Sequence, residues 1–262
     1  MQATSKTILF ISGSFISHYS WNNWRVFFEE NGYITNAPAW PYRNDSAEIL
    51  RKRHPDADIA SITLLQLLDY YEGIANSFPE QPVLIGHSLG GLIVQVLLNR
   101  GVGAAGIVIN SVPPRGVMTF TFSYLSFIVR HLGFLTSIKT TYLLSFSGWR
   151  HFVTNGMPIA DQKKSYNTMA VPESRLVARD CFSRTAKIDF KKAHVPLLFV
   201  AGNEDWIIPA SLNYFNYKKY SHKKSVTAYK EFKKNNHFVF TKPSEMAITT
   251  YIQIWLLNLH IN

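Results

Sequence analysis

The sequence predicts an α/β fold: a mostly parallel central sheet with helices on both faces, interrupted by one helical insertion. Apolar strand-like runs alternate with segments of helical periodicity along most of the chain, the rhythm of parallel βαβ units. A short apolar run at 82–85 leads straight into Gly86-His87-Ser88-Leu89-Gly90-Gly91 and then into a helical pattern, giving strand, glycine turn and helix in one stretch. The rhythm stops between residues 113 and 194, where helical patterns dense in aromatics take over, and then resumes. An insertion between two strands of one sheet explains the break. The expected organisation is a core of residues 1–112 and 186–262 with a helical insertion at 113–185.

The elements follow in order. Residues 6–11 read as a buried strand ending in a loop of Gly and Ser. Ser20 can cap a helix whose Trp21, Trp24, Phe27 and Phe28 recur at helical spacing until Gly32 stops it. Residues 33–37 are a second strand, and a polar, proline-containing segment occupies 38–55. A helix is expected over 59–77, with Ile62, Leu65, Leu68, Tyr70 and Tyr71 facing the core. The strand at 82–85 and its glycine turn precede a helix at 92–100, which ends at Gly101, and residues 105–110 form the next strand. After the insertion come a strand at 195–201, a helix at 210–220, a strand at 225–229 and a last helix at 243–259.

Composition excludes several classes. The chain has 262 residues, 47% hydrophobic and 17% charged, with 14 Gly and 12 Pro, so it is neither disordered nor collagen-like. Cys181 is the single cysteine, so no intrachain disulfide forms and no cysteine cluster binds zinc. The first apolar run, 8–11, is too short for the core of a signal peptide, and the stretch 116–129 is too short to span a bilayer before Arg130 ends it. A cytoplasmic protein without stable membrane insertion is expected. From Lys187 onward there are eleven Lys and no Arg against five Asp and Glu, within a net charge of +10. The paired lysines fall at helix ends and loops with no nucleic-acid motif beside them, so a solubilising surface is expected and nucleic acid is not. No HExxH, paired ligand spacing, Walker or dinucleotide glycine pattern occurs, so neither metal nor cofactor is expected.

The chemistry centres on Gly86-His87-Ser88-Leu89-Gly90, a G-x-S-x-G string lying between a strand and a helix. Such a turn brings backbone segments together, which the glycines permit, and projects Ser88 with the first amides of the helix around it. The Leu89 N–H can then face a developing oxyanion. A serine nucleophile needs a base, and the base needs an orienting acid. No Asp or Glu occurs between Glu80 and Asp161, so the loop after the strand ending at Asn110 cannot supply the acid, which leaves Glu204 or Asp205. Of nine histidines, His18, His54, His131, His151, His194, His222 and His260 lack a partner motif, and His87 belongs to the turn. His237 follows the last predicted strand.

At these residues the chain resembles the α/β-hydrolase superfamily, whose triad runs Ser, Asp or Glu, then His. Three motifs carry the resemblance: the turn at Ser88; Gly202-Asn203-Glu204-Asp205-Trp206-Ile207-Ile208-Pro209 after the strand at 195–201; and Asn236-His237-Phe238. The resemblance implies Ser88 as nucleophile, Asp205 as acid with Glu204 as the fallback, and His237 as base. It also implies a second oxyanion donor from the loop Ser12-Gly13-Ser14-Phe15, at the Ser14 amide. Family members usually have His-Gly where this chain has Ser12-Gly13.

The family position of the insertion is a cap over the nucleophile. Here it carries Phe120, Phe122, Tyr124, Phe127, Phe134, Tyr142, Phe146, Trp149 and Phe152, with Leu125, Ile128, Leu132, Leu135, Leu143 and Leu144 among them. Most would pack the cap and the rest would line an apolar pocket, favouring a small acyl or aryl substrate with little charge. A serine at the turn argues against dehalogenases and epoxide hydrolases. The expected function is a serine hydrolase cleaving an ester or related acyl bond. Thioesterases, carbon–carbon bond hydrolases, perhydrolases and hydroxynitrile lyases stay open, as does a ligand receptor on the same scaffold or a protein docking on acidic membranes. A homodimer is left open too.

Overall fold

The computed structural model describes residues 5–118, 126, 129, 133 and 136–259. Its strands are β1 (Thr7–Ile11), β2 (Ile34–Asn36), β3 (Val83–His87), β4 (Ala105–Ile109), β5 (Leu197–Gly202) and β6 (Thr227–Phe232). They form one sheet in the order β2-β1-β3-β4-β5-β6, and every neighbouring pair is parallel. The helices are α1 (Asn22–Glu30), α2 (Ala47–Lys52), α3 (Ala57–Ser61), α4 (Leu64–Asn76), α5 (Leu89–Arg100), α6 (Ile159–Met169), α7 (Arg175–Asp180), α8 (Ala210–Lys219) and α9 (Ser244–Leu259). None is long and apolar enough to cross a membrane among the described residues.

The four central strands read as continuous apolar runs because both faces of the sheet are covered. Ile8, Phe10, Ile85, Ile107 and Val200 pack on one face with Trp24 and Phe28 of α1 and Ile248, Ile252 and Leu256 of α9. Leu9, Ile11, Leu84, Val108 and Phe199 pack on the other with Leu67, Leu68 and Tyr71 of α4 and Ile93 and Leu97 of α5. The chain leaves β1 for β2 at one edge, then returns to β3 and proceeds to β6 at the other. That reversal separates the loops after β1 and β3, opening a crevice at the carboxyl ends of these strands.

The structure departs from expectation in the first half. Residues 59–77 form two helices because Thr63 is extended and starts α4 with a capping box: its hydroxyl accepts the Gln66 N–H, and the Gln66 side chain accepts the Thr63 N–H. That start turns Leu64, Leu67, Leu68, Tyr71 and Ala75 inward, and Leu65, expected in the core, is 48% exposed. Ser17, rather than Ser20, caps the first helical turn, a 3-10 turn at His18–Trp21 that runs into α1. The polar segment 38–55 contains α2, whose first turn is capped by Ser46 accepting the Ile49 N–H.

Between β4 and β5 the described residues hold short helical pieces joined by loops: a turn at Phe146–Gly148, a π-helical turn at Trp149–Val153, α6, α7 and a 3-10 turn at Arg184–Ala186. Leu144, Trp149, Phe152 and Val153 join the same apolar cluster as β1 and β4, while Tyr142 is half-buried against it. Phe146 and Leu143 are half-buried. Phe120, Phe122, Tyr124, Leu125, Phe127, Ile128, Leu132, Phe134 and Leu135 lie outside the described residues, as do His131 and His260.

Candidate active site

Ser88 sits between β3 and α5 at φ 55°, ψ −118°, a backbone conformation that costs a non-glycine residue about 1–3 kcal/mol and persists only where the surroundings enforce it. The enforcement is steric and hydrogen-bonded. A Cβ on Gly86 would stand 2.2 Å from the Gly90 carbonyl oxygen, and one on Gly90 would stand 2.1 Å from the Ile11 carbonyl oxygen. Across the crevice, a Cβ on Gly13 would stand 2.7 Å from the Ser88 Cβ. The Ser88 N–H donates to the Ile109 carbonyl at 2.9 Å, tying the turn to β4. Leu89 is the first residue of α5, so its N–H has no acceptor within the helix and stands at the positive end of the helix dipole.

Asp205 follows β5 and His237 follows β6, and both are buried. Asp205 Oδ1 accepts the N–H groups of Ile207 and Ile208, each at 2.8 Å, and Oδ2 lies 2.7 Å from His237 Nδ1. An ionised carboxylate in that position accepts a hydrogen bond from Nδ1–H, so Nε2 carries the lone pair. Glu204, the fallback acid, is exposed. Ser14, Ser88, Leu89 and His237 line one cavity of about 340 Å³, and Asp205 lies behind His237. The other walls are mostly apolar, among them Phe15, Ile16, Val112, Val117, Met118, Val153 and Ile207, with Arg115 present at an exposed position. Cys181 also lines the cavity, and burial pushes its thiol up to about 12.

A family model described as the alpha/beta hydrolase family matches residues 8–248. The chain belongs to that family. A search of curated proteins found no match. Among solved structures, this hydrolase is similar to a monoacylglycerol lipase of Paleococcus ferrophilus, with a TM-score of 0.69, 16% identity, and 97% of this chain and 94% of the other covered. It is similar to a methylesterase from Arabidopsis, at TM-score 0.66 and 14% identity over 95% of this chain and 98% of the other. A pyrethroid hydrolase from Sphingobium faniae gives TM-score 0.66 and 16% identity over 97% and 98%. At these identities the likeness is one of fold.

Two residues of this alpha/beta hydrolase that sequence reasoning left without a role hold the histidine loop. His87 points away from the cavity, and its Nε2–H donates to the His237 carbonyl at 2.8 Å. Burial, and then the neighbouring His237, hold its imidazole well below the ordinary value, so it is a neutral strut. Asn110, just past β4 at φ 46°, accepts the Gly202 N–H through Oδ1 at 2.8 Å and donates through Nδ2 to the Asn236 carbonyl at 3.1 Å. It thereby fixes the acid loop and the histidine loop to each other. Its place at the carboxyl end of a central strand, where no acid was available, was the sequence signal. The Ser12 hydroxyl accepts the Trp21 indole N–H at 3.1 Å.

Proposed function

We propose that the protein is a serine hydrolase that cleaves a carboxylic ester, or a related acyl bond, of a largely apolar small molecule through an acyl-enzyme intermediate. The observation that carries the reading is the Asp205–His237 pair, at 2.7 Å, whose imidazole opens on the same apolar cavity as Ser88. In this mechanism His237 Nε2 takes the Ser88 proton as Oγ attacks the carbonyl, then returns it to the leaving alkoxide. Asp205 stays ionised, holding the tautomer and stabilising the imidazolium. The Leu89 and Ser14 amides receive the oxyanion, each such donor being worth about 3 kcal/mol in the transition state. Water activated by His237 then releases the acid. The insertion at 113–185 acts as a cap, and the apolar walls around Ser88 favour an acyl or aryl group without charge. The named activities of the structural neighbours, a lipase, a methylesterase and a pyrethroid hydrolase, agree with ester cleavage.

The test is hydrolysis of nitrophenyl esters of increasing acyl length by the native chain and by Ser88→Ala at matched folding. Turnover that vanishes in the variant, with a chain-length optimum in the native protein, is the expected result. Undiminished turnover in Ser88→Ala refutes the proposal. Labelling of Ser88 by a fluorophosphonate without ester turnover redirects the substrate to a thioester or a carbon–carbon bond while keeping the nucleophile.

A further inference from the structure

We propose that Arg43 and Glu173 form a buried clamp that sets the oxyanion loop, making both positioning residues for catalysis; the proposal rests on the serine hydrolase reading above. Arg43 Nη1 lies 3.0 Å from Glu173 Oε2, with side chains 3% and 1% exposed. Burying two charges in this way costs about as much as their attraction returns, so the pair is a poor device for stability alone. Its remaining hydrogen bonds converge on one loop. Glu173 Oε2 also accepts the Phe15 N–H at 3.2 Å, and Arg43 Nη2 donates to the Ile16 carbonyl at 3.0 Å.

The loop needs such a hold. Phe15 has φ 62°, a conformation that a bulky residue keeps only under constraint. The Ser14 amide is one peptide unit away from the Phe15 N–H that Glu173 grips. On its other side Gly13 is pressed against Ser88, and Ser12 is held by Trp21. The Ser14 donor is therefore suspended between two anchored points, and Glu173 is the anchor on the far side.

The clamp is itself fixed. The Arg43 guanidinium lies 4.4 Å from the centre of the Trp40 ring, and Glu173 Oε1 accepts the Ser174 N–H at 2.8 Å. The Val171 N–H donates to the Phe15 carbonyl and the Ser17 N–H to the Met169 carbonyl, both at 2.9 Å, which stitches the segment carrying Glu173 along the loop. Tyr142 and Glu173 exchange both backbone hydrogen bonds, each at 2.8 Å. The insertion thus reaches the oxyanion loop from outside.

The experiment compares the native chain with Glu173→Ala, Glu173→Gln and Arg43→Lys, all normalised to folded protein by thermal melts. It measures kcat and KM on the best nitrophenyl ester and the affinity for an arylboronic acid, which forms a tetrahedral adduct on Ser88. In Glu173→Ala, kcat is expected to fall about tenfold to a hundredfold with KM within about threefold, and boronate affinity to fall in parallel. Glu173→Gln, which keeps an acceptor for the Phe15 N–H, should lose less. A folded variant with kcat and boronate affinity within about twofold of native, or with only KM raised, overturns the clamp. If Glu173→Ala does not fold, Glu173→Gln and Arg43→Lys decide by the same split, since lysine keeps a cation for Glu173 but lacks a second branch for Ile16. Absence of both Ser88-dependent turnover and fluorophosphonate labelling of Ser88 in the native chain would instead refute the hydrolase reading itself.

Discussion

At Asp205 both carboxylate oxygens are committed, Oδ1 to two backbone N–H groups and Oδ2 to the imidazole. An amide cannot satisfy all three donors. Asp205→Asn should therefore invert the His237 tautomer, leaving Nε2 protonated and unable to accept from Ser88, and kcat should fall by about four orders of magnitude while circular dichroism is unchanged. A loss below tenfold would move the acid role to another residue. The three residues of the proposed proton path could be picked out in the sequence because each lies in a local pattern: a glycine turn for Ser88, a strand end for Asp205, a loop past the last strand for His237. Their supports were not legible in the same way. Asn110 reaches Asn236 across 126 positions, His87 reaches His237 across 150, and Arg43 reaches Glu173 across 130. No local pattern encodes such a contact; it exists only once the sheet has brought the loops together.

At the scale of elements, the capping box at Thr63 and Gln66 divides α3 from α4 and decides which residues of α4 face the core. Thr63→Ala removes the hydroxyl that accepts the Gln66 N–H, which should cost about 1 kcal/mol. In a domain of this size that is a fall of about 2–4 °C in Tm, read by a thermal melt, with activity unchanged. An unchanged Tm would mean that burial of Leu64 and Leu67 alone starts the helix. The central strands were legible because burial on both faces makes each a continuous apolar run. β6, an edge strand that is only partly buried, starts two residues and ends three residues later than the expected 225–229, for want of that contrast. Continuous apolar spacing on both sides of Thr63 hid the break between α3 and α4, although the T-x-x-Q signature was present. The short, polar α2 carries almost no periodic signal and is held from outside, by Arg51 donating to the Tyr166 and Ala170 carbonyls, each at 2.9 Å.

For the molecule as a whole, charge and the buried or half-buried histidines act in the same direction. The net charge is +10 before any histidine is protonated, so acidification adds positive charge to a chain that already repels itself. His18, His54, His87 and His194 are each held below the ordinary value of 6.5, in every case chiefly by burial. As the pH falls through about 6.5, the unfolded chain takes up protons at these positions that the folded chain refuses, so stability is full above that pH and is lost below it. Glu173 and Glu245, raised by burial, work oppositely: their folded forms bind protons more readily, so each favours folding as the pH drops toward the ordinary carboxylate range. Four histidines stand against two carboxylates, so between about pH 7.5 and 5.5 the histidine effect should dominate and Tm should decline. His87 is the most deeply buried of the four, and His87→Gln keeps an N–H for the His237 carbonyl without a titrating group. The slope of Tm against pH should be shallower in this variant, measured by calorimetry at high salt. Salt screens the self-repulsion of the surface but leaves the desolvation of a buried imidazole in place. A slope that survives in salt and shrinks in His87→Gln therefore assigns the acid sensitivity to the strut behind His237, while a slope that disappears in salt assigns it to the lysine-rich surface.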